Sequence, residues 1–240
     1  MLSRCRMVTM NDSGCEMGVL YGIGVGPGDP ELMTLKAVRM IGKMDIIAAP
    51  GEDVKQTTAY NIAVQAVPEM AGKELLPIRM PMVTDREIVA EYHRKGAEEI
   101  AEKLEEGKNI GFITLGDPSI YSTFSYIEKL VKEMGYRTAY ISGVPSFCAA
   151  AAAVGIPLAE WEESLHIIPA THSPQKRLDD EGNYVLMKSG KRINEVKEML
   201  RESGRDAVMV ENCGMPDEKR YNGVDCMPDD AGYYTLIIAK

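Results

Sequence analysis

Tyr21-Gly-Ile-Gly-Val-Gly-Pro-Gly-Asp-Pro30 interrupts a short apolar run, Val19 to Ile23, with a series of glycines and prolines. An apolar run that ends in such residues predicts a buried strand followed by a loop. Two later segments repeat this form. Leu115-Gly-Asp-Pro-Ser-Ile-Tyr121 ends the run Ile110 to Leu115, and Ser142-Gly-Val-Pro-Ser-Phe147 follows Thr138 to Ile141. Ligands of open α/β sheets bind outside the carboxyl ends of the strands, so we expect the three breaks to meet at a small-molecule site.

Strand-like and helix-like segments alternate along the rest of the chain. The further predicted helices are 34–41, 57–67, 84–106, 122–134, one that opens at Ser146, and 191–203; the further predicted strands are 45–49, 74–80, 165–169, 184–188, 206–211 and 234–239. The helix at 84–106 is predicted to begin at the capping box Thr84-Asp-Arg-Glu87. The polar, helix-breaking segment 170–183 predicts a surface loop. This alternation predicts an α/β fold.

The length of 240 residues allows two α/β domains. We place their boundary after Gly116, which gives an N-terminal domain of residues 17–116 and a C-terminal domain of 117–240. A ligand cleft is expected between the two domains, where small molecules commonly bind. Residues 1–16 are expected to form a disordered extension.

Composition restricts the function. The net charge of -9 argues against a nucleic-acid partner, which requires a basic surface. No apolar run approaches the ~20 residues that cross a bilayer, so no membrane partner is expected. The five cysteines, at positions 5, 15, 148, 213 and 226, show no Cys-x-x-Cys spacing. We therefore expect neither a disulfide framework nor a metal site, and the reducing cytoplasm as the location. Cys148 lies beside an alanine run and is expected to be buried.

The first glycine loop does not match a dinucleotide-binding fingerprint. Counted from Gly22, the third glycine of G-x-G-x-x-G is replaced by Pro27, and counted from Gly24 it is replaced by Asp29. Proline removes an amide donor, and an aspartate repels the phosphate. A purely structural interpretation of this loop remains open, in which Asp29 caps a turn and the glycines serve its geometry.

The ordered set of motifs resembles a known family, the S-adenosylmethionine-dependent tetrapyrrole methylases, over residues 17–240. The residues that carry the resemblance are the first glycine loop, the Gly116-Asp-Pro turn, the Gly143-Val-x-Ser146 turn and the terminal strand Thr235-Leu-Ile-Ile238. Gly116-Asp-Pro-Ser-Ile-Tyr-Ser-Thr-Phe-Ser-Tyr126 and Val185-Leu-Met-Lys188 look like the branch that methylates carbon 20 of precorrin-2, or of its cobalt form cobalt-factor II, in cobalamin biosynthesis.

The resemblance implies an enzyme that uses S-adenosylmethionine as methyl donor, acts on a tetrapyrrole and forms a homodimer. The positions that it implies for binding the donor are Pro27, Leu115, Gly116, Asp117, Ile120, Tyr121, Pro145, Ser146, Met187, Cys213 and Thr235. Asp117 is also the candidate catalytic group, because a carboxylate favours the positively charged sulfonium. An alternative role for Asp117 is to cap the following helix.

Tetrapyrroles of this pathway carry several carboxylates, which predicts basic substrate-binding residues on an otherwise acidic protein. Our candidates are Lys188, Lys191, Arg192 and Arg79. Two alternative functions stay open. One is a sibling methylase that acts at another ring position or on a diphthamide precursor, and the other is a nucleotide-binding module without catalytic activity. Neither the presence of cobalt in the substrate nor the oligomeric state follows from these residues.

Overall fold

The computed structural model describes residues 16–81, 83, 85–170, 178 and 180–240. The chain divides into two compact units. The first takes in the described residues up to Gly26 together with Pro30–Val144, and the second consists of Pro27–Asp29 and Pro145–Lys240. Apart from Glu16, the predicted N-terminal extension lies outside the described residues.

The first unit is built on a parallel sheet in the order β3-β2-β4-β1-β5. Its strands are β1 Val19–Gly24, β2 Ile46–Pro50, β3 Glu74–Ile78, β4 Ile110–Thr114 and β5 Arg137–Ile141. Its helices are α1 Leu35–Lys43, α2 Thr58–Ala66, α3 Arg86–Glu105 and α4 Phe124–Glu133. The predicted alternation of strands and helices is confirmed, with ends shifted by one or two residues.

Apolar residues cover both faces of this sheet. One core cluster contains Ile23, Ile47 and Ile113, while a second contains their strand neighbours Ile46 and Phe112. Side chains alternate between the faces of a strand, so these runs are buried on both sides, as expected for a parallel sheet between helices.

Side-chain caps set where the helices begin. The Thr34 hydroxyl accepts the amide N–H of Ala37 at 3.1 Å and starts α1. At α3, the Asp85 carboxylate accepts the N–H groups of Glu87 and Ile88 at 2.9 and 3.3 Å. The predicted cap, Thr84, lies outside the described residues, so the N-cap that the structure shows stands one position later.

The strand order creates a topological switch point between β1 and β4. From β1 the chain crosses to β2 on one side of the pair, whereas from β4 it crosses to β5 on the other side. Adjacent strands whose connections leave in opposite directions leave a crevice at their carboxyl ends, and this is where open α/β sheets bind ligands. The first and second glycine breaks begin at these two strand ends.

The second unit contains a mixed sheet in the order β6-β7-β10-β8-β9, in which only β6 and β7 run parallel. Its strands are β6 Leu165–Pro169, β7 Asn183–Met187, β8 Ala207–Glu211, β9 Lys219–Asn222 and β10 Thr235–Ala239. Its helices are α5 Ser146–Val154 and α6 Ile193–Ser203. The sequence does not predict β9, because Lys-Arg-Tyr-Asn is a polar edge strand without an apolar run.

Two predictions of chain organisation are wrong. The boundary does not fall after Gly116, because β5 pairs with β1 and completes the first sheet, which moves the division to Val144 and Pro145. The segment 170–183 is not wholly a surface loop, because Ala170 and Leu178 are buried in the core of the second unit. Its positions 171–177 and 179 lie outside the described residues. Across the described parts of the chain, no helix is both long and apolar enough to cross a membrane.

Candidate ligand site

The three glycine breaks meet in the first unit, as predicted. Gly26 and Gly116 exchange backbone hydrogen bonds, with N to O distances of 3.3 and 2.7 Å. Their φ angles of +79° and +70° lie in the left-handed region that favours glycine. Val25 N–H also donates to Thr114 O at 3.0 Å, so the backbone ladder continues past the end of β1. The breaks after β1 and β4 therefore form one backbone structure at the switch point.

The third break joins this structure through close backbone packing. A Cβ atom built on Gly143 would lie 2.0 Å from the carbonyl oxygen of Gly116, and one built on Gly24 would lie 2.5 Å from the same oxygen. Real Cβ atoms do not approach backbone atoms this closely, so only glycine fits at these two positions. The glycines allow the carboxyl ends of β1, β4 and β5 to converge.

Asp117 fastens the second break to the third. One carboxylate oxygen accepts the N–H and the hydroxyl of Ser119 at 2.8 and 2.5 Å. The other oxygen accepts the N–H of Gly143 at 3.0 Å. These bonds make Asp117 the cap of a turn and a link between two loops. It does not cap α4, whose first residue is Phe124.

The remaining predicted residues of the second break surround this turn. Leu115 and Ile120 are half-buried, while 48% of the Tyr121 surface is exposed. Tyr121 has a φ of +47°, a conformation that costs a non-glycine residue roughly 1–2 kcal/mol. Strained residues of this kind concentrate at functional sites.

A buried hydroxyl next to this turn escapes the sequence analysis. Ser122 is 6% exposed, its Oγ lies 3.0 Å from the Thr114 hydroxyl, and it accepts the N–H of Phe124 at 3.2 Å. It therefore accepts the first N–H of α4 and links the start of this helix to the end of β4. Its place at the start of the helix predicted over 122–134 is the signal that could have identified it, because serine is favoured where helices begin.

A second cluster of predicted residues lies at one end of the sheet of the second unit. Met187 is the last residue of β7 and Thr235 the first of β10, and these two strands pair directly. Cys213 follows β8, the other neighbour of β10, and its carbonyl oxygen would lie 2.3 Å from a Cβ on Gly28. Pro27 is buried beside that glycine, so it belongs to this cluster. Pro145 and Ser146 are half-buried at the start of α5.

Burial raises the thiol pKa of two cysteines, Cys213 and Cys148. Burial, together with the nearby Glu218 carboxylate, raises the pKa of Cys213 to about 11, so its thiol remains protonated at neutral pH. Cys148 is exposed, which contradicts the expected burial, because it lies on the outer side of α5 while Ala149 and Ala150 are buried. Partial desolvation nevertheless raises the pKa of the Cys148 thiol.

Glu211, which was not predicted from the sequence, organises the second cluster. This carboxylate, 8% exposed, accepts the N–H of Gly232 at 3.0 Å and the hydroxyl of Tyr221 at 2.9 Å. Thr235 donates its hydroxyl to the carbonyl of the same Gly232 at 2.7 Å. Glu211 and Thr235 are register partners on β8 and β10, so together they hold the segment that enters β10.

The predicted substrate-binding cations differ in their surroundings. Arg79 follows β3 at the edge of the first sheet, two strands from the switch point, and pairs with Glu52 at 3.2 Å. Arg192 pairs with Glu195 at 3.1 Å. Lys188 follows Met187, has a φ of +58°, and its ammonium lies 5.9 Å from the ring centre of Tyr233. Lys191 is exposed within the short 3-10 helix that follows.

The residues predicted to bind the donor fit a cationic methyl donor chemically. None of the eleven is a lysine or an arginine, and the only ionised side chain among them is the carboxylate of Asp117. The neutral Cys213 thiol does not compete for the methyl group. Glycine-rich backbone and half-buried apolar side chains, such as Leu115 and Ile120, suit a nucleoside.

Comparisons with known proteins find relatives that match most of the chain. The family model of the Tetrapyrrole (Corrin/Porphyrin) Methylases matches residues 19–224. The Probable cobalt-precorrin-2 C(20)-methyltransferase of Methanocaldococcus jannaschii is 36% identical over 202 residues, which cover 83% of this chain and 85% of that protein. The Cobalt-precorrin-2 C(20)-methyltransferase of Salmonella typhimurium is 31% identical over 235 residues, 93% of this chain and 96% of that protein.

A solved structure shares the fold. Uroporphyrin-III C-methyl transferase from Thermus thermophilus, complexed with S-adenyl homocysteine, superimposes with a TM-score of 0.67 at 20% identity and covers 93% of this chain and 98% of that one. The family match takes in the first sheet and β6 to β9 of the second, and two relatives more than 30% identical cover most of the chain. The chain belongs to the tetrapyrrole (corrin/porphyrin) methylase family.

Proposed function

We propose that this protein transfers the methyl group of S-adenosylmethionine to carbon 20 of precorrin-2 in its cobalt-bearing form, a step of cobalamin biosynthesis. The observation that carries the proposal is the 36% identity, over 83% of this chain, to a relative named for that reaction on cobalt-precorrin-2. The relative from Salmonella typhimurium is named for the same substrate. The converged glycine breaks support it, because they bring three strand ends together and contain no lysine, arginine, histidine or cysteine.

S-adenosylmethionine supplies an electrophilic methyl group, so the carbon–sulfur bond breaks as the new carbon–carbon bond forms. The protein then has to align the two reactants and exclude water. Leu115, Gly116, Ile120 and Tyr121 are proposed to bind the donor in the first unit, since they surround the switch point. Pro27, Met187, Cys213 and Thr235 are the proposed contacts in the second unit, and Pro145 and Ser146 those at the start of α5.

Asp117 is proposed to position the site, because two of its hydrogen bonds fix the loop after β4 and the third joins this loop to the one after β5. Its negative charge also favours a sulfonium nearby. Neither role requires Asp117 to exchange a proton during methyl transfer.

Mass spectrometry of the tetrapyrrole tests this function. The protein is incubated anaerobically with S-adenosylmethionine and, in parallel reactions, with cobalt-factor II and with metal-free precorrin-2. The proposal predicts one added methyl group with cobalt-factor II and slower methylation of precorrin-2. Methylation of neither substrate by protein that binds S-adenosylhomocysteine would reject this substrate and favour a sibling methylase. Tight nucleotide binding without methylation of any tetrapyrrole would favour a binding module.

We further propose that the protein acts as a homodimer in the cytoplasm. Exposed apolar side chains support association, above all Leu35 at 89% exposure and Trp161 at 104%. The free thiols of Cys148, Cys213 and Cys226 suit a reducing compartment. Light scattering after size-exclusion chromatography should give twice the chain mass of 26.4 kDa. A mass of one chain across the micromolar range would contradict the dimer.

A further inference from the structure

The turn that follows β7 places a lysine in an unfavourable backbone conformation. Lys188 has a φ of +58°, which glycine or asparagine adopts more readily than lysine does. The two residues that follow Lys188 are tightly packed. Ser189 is fully buried, and a Cβ on Gly190 would lie 2.0 Å from the carbonyl oxygen of Gly232. Because glycine would fit this position better, the presence of lysine indicates that its side chain has a role.

The Lys188 ammonium lies over an aromatic ring. Its Nζ is 5.9 Å from the ring centre of Tyr233, within the range of a cation–π contact, and 53% of the Tyr233 surface is exposed. Tyr234 packs edge-on against Tyr233 with ring centres 5.3 Å apart. Among the residues that the structure describes, no carboxylate lies within ion-pairing distance of Lys188. The pair thus joins an available positive charge to a half-exposed aromatic surface.

Hydrogen bonds to Glu211 and Thr235 hold the segment that carries Tyr233 in place. Gly232 donates its N–H to Glu211 and accepts the Thr235 hydroxyl, at 3.0 and 2.7 Å. Both carboxylate oxygens of Glu211 are occupied, because the second accepts the Tyr221 hydroxyl at 2.9 Å. Glu211 therefore fixes the loop without neutralising Lys188. The sequence marks only Lys188 as a candidate, and the structure adds its aromatic partner.

An ammonium beside an exposed ring matches a flat, conjugated ligand with carboxylate side chains. The ammonium can pair with a carboxylate, and the aromatic surface can pack against the macrocycle or its edge. We propose that Lys188 and Tyr233 together form a specificity element that binds a carboxylate-bearing edge of the tetrapyrrole. This inference rests on the proposed function, and it names side chains that bind the acceptor and not the methyl donor.

Three variants test this element. Lys188→Asn removes the charge but retains a residue that tolerates the left-handed conformation, Tyr233→Leu removes the ring, and Tyr233→Phe keeps the ring without its hydroxyl. Lys129→Gln, a change at an exposed residue of α4, is the matched control for loss of a positive charge. For each protein, the Kd of cobalt-factor II is measured by absorbance titration, the Kd of S-adenosylhomocysteine by calorimetry, and stability by thermal melting.

Lys188→Asn and Tyr233→Leu should each weaken tetrapyrrole binding by about tenfold, the scale of one charge-assisted contact. Donor affinity should stay within about twofold, and Lys188→Asn should melt no lower than the wild type because it relieves strain. Tyr233→Phe and Lys129→Gln should bind as the wild type does. Because the pair acts as a unit, the double variant should lose less affinity than the product of the two single losses.

The possible failures can be distinguished. Wild-type protein that binds the tetrapyrrole while Lys188→Asn binds equally well would overturn the specificity element and leave the proposed function standing. A drop in melting temperature with unchanged tetrapyrrole affinity would show that the pair serves only the fold. Wild-type protein that binds S-adenosylhomocysteine but no tetrapyrrole would overturn both.

Discussion

The Asp117 carboxylate serves the structure of the site through both of its oxygens. One caps the turn at Ser119, and the other accepts the N–H of Gly143 from a different loop. A carboxylate that holds two loops in register is difficult to replace even by its own amide. An aspartate is needed at this position because both oxygens of its side chain accept hydrogen bonds.

Asp117→Asn should therefore destabilise the protein by about 2 kcal/mol, since an amide NH2 cannot accept both sets of donors. Donor affinity should fall with it as the loops separate. Ser119→Ala, which removes only the hydroxyl bond to Asp117, should cost about 1 kcal/mol or less. Urea unfolding measures both. Equal stability of Asp117→Asn and wild type would contradict the linking role.

Cys213 should react with iodoacetamide more slowly than Cys226. Its pKa of about 11 implies roughly a hundredfold less thiolate at pH 8 than an ordinary thiol with a pKa of 9.0, because a higher pKa favours the protonated form. Peptide mapping after timed iodoacetamide treatment should show Cys226, which is exposed, labelled well before Cys213. The labelling rate of Cys213 should still rise with pH above pH 9, because its pKa is about 11. Rapid labelling of Cys213 at pH 7 would contradict a buried, neutral thiol.

At the scale of elements, the convergence of three strand ends depends on glycines that allow backbone to touch backbone. Gly143→Ala should prevent this, because the new methyl would lie 2.0 Å from the Gly116 carbonyl oxygen. We expect a loss of several kcal/mol or no folded protein. The matched control is Gly72→Ala in the same unit, where no atom lies within 4 Å of the added Cβ. Circular dichroism melting compares the two, and similar melting temperatures would refute the close packing.

Glu211 connects three elements of the second sheet, namely β8, the hydroxyl of Tyr221 on β9 and the loop before β10. Glu211→Gln should lower stability by about 1–3 kcal/mol. The NH2 group of glutamine would face one of the two donors, the Gly232 N–H or the Tyr221 hydroxyl, from which the carboxylate now accepts a hydrogen bond. Tyr221→Phe removes one of these bonds and should cost about 1 kcal/mol. Chemical unfolding of the two variants measures the difference. A larger loss in Tyr221→Phe than in Glu211→Gln would place the importance in the tyrosine hydroxyl and not in the carboxylate.

Local patterns predicted most elements of this fold. Apolar runs closed by glycine identified β1 and β4, and helical spacing identified α1 and α4, because burial of each segment imposes its own periodicity. β9 was missed because an edge strand of polar residues shows no such periodicity. The burial of Glu211 and the pairing of Lys188 with Tyr233 were missed as well. They depend on contacts between residues far apart in the chain, which no short segment reveals.

At the scale of the whole molecule, two sheets of different construction share one chain. The boundary predicted after Gly116 was wrong because a sequence does not show that β5 returns to pair with β1. The convergence of the three breaks was correct, because the rule that ligands bind at carboxyl strand ends depends on topology and not on the boundary. The family follows from the ordered motifs and the comparisons, while the acceptor contacts that we propose for Lys188 and Tyr233 rest on the side-chain geometry of the second unit.

The position of the new methyl group tests the central claim most directly. The protein is incubated anaerobically with cobalt-factor II and S-adenosylmethionine labelled with carbon-13 in its methyl group, and the product is purified and analysed by NMR. We predict a single enriched methyl group, bonded to carbon 20 of the macrocycle. Enrichment at another carbon, or an unlabelled tetrapyrrole recovered with protein that binds the donor, would contradict the assignment of this chain to carbon-20 methylation.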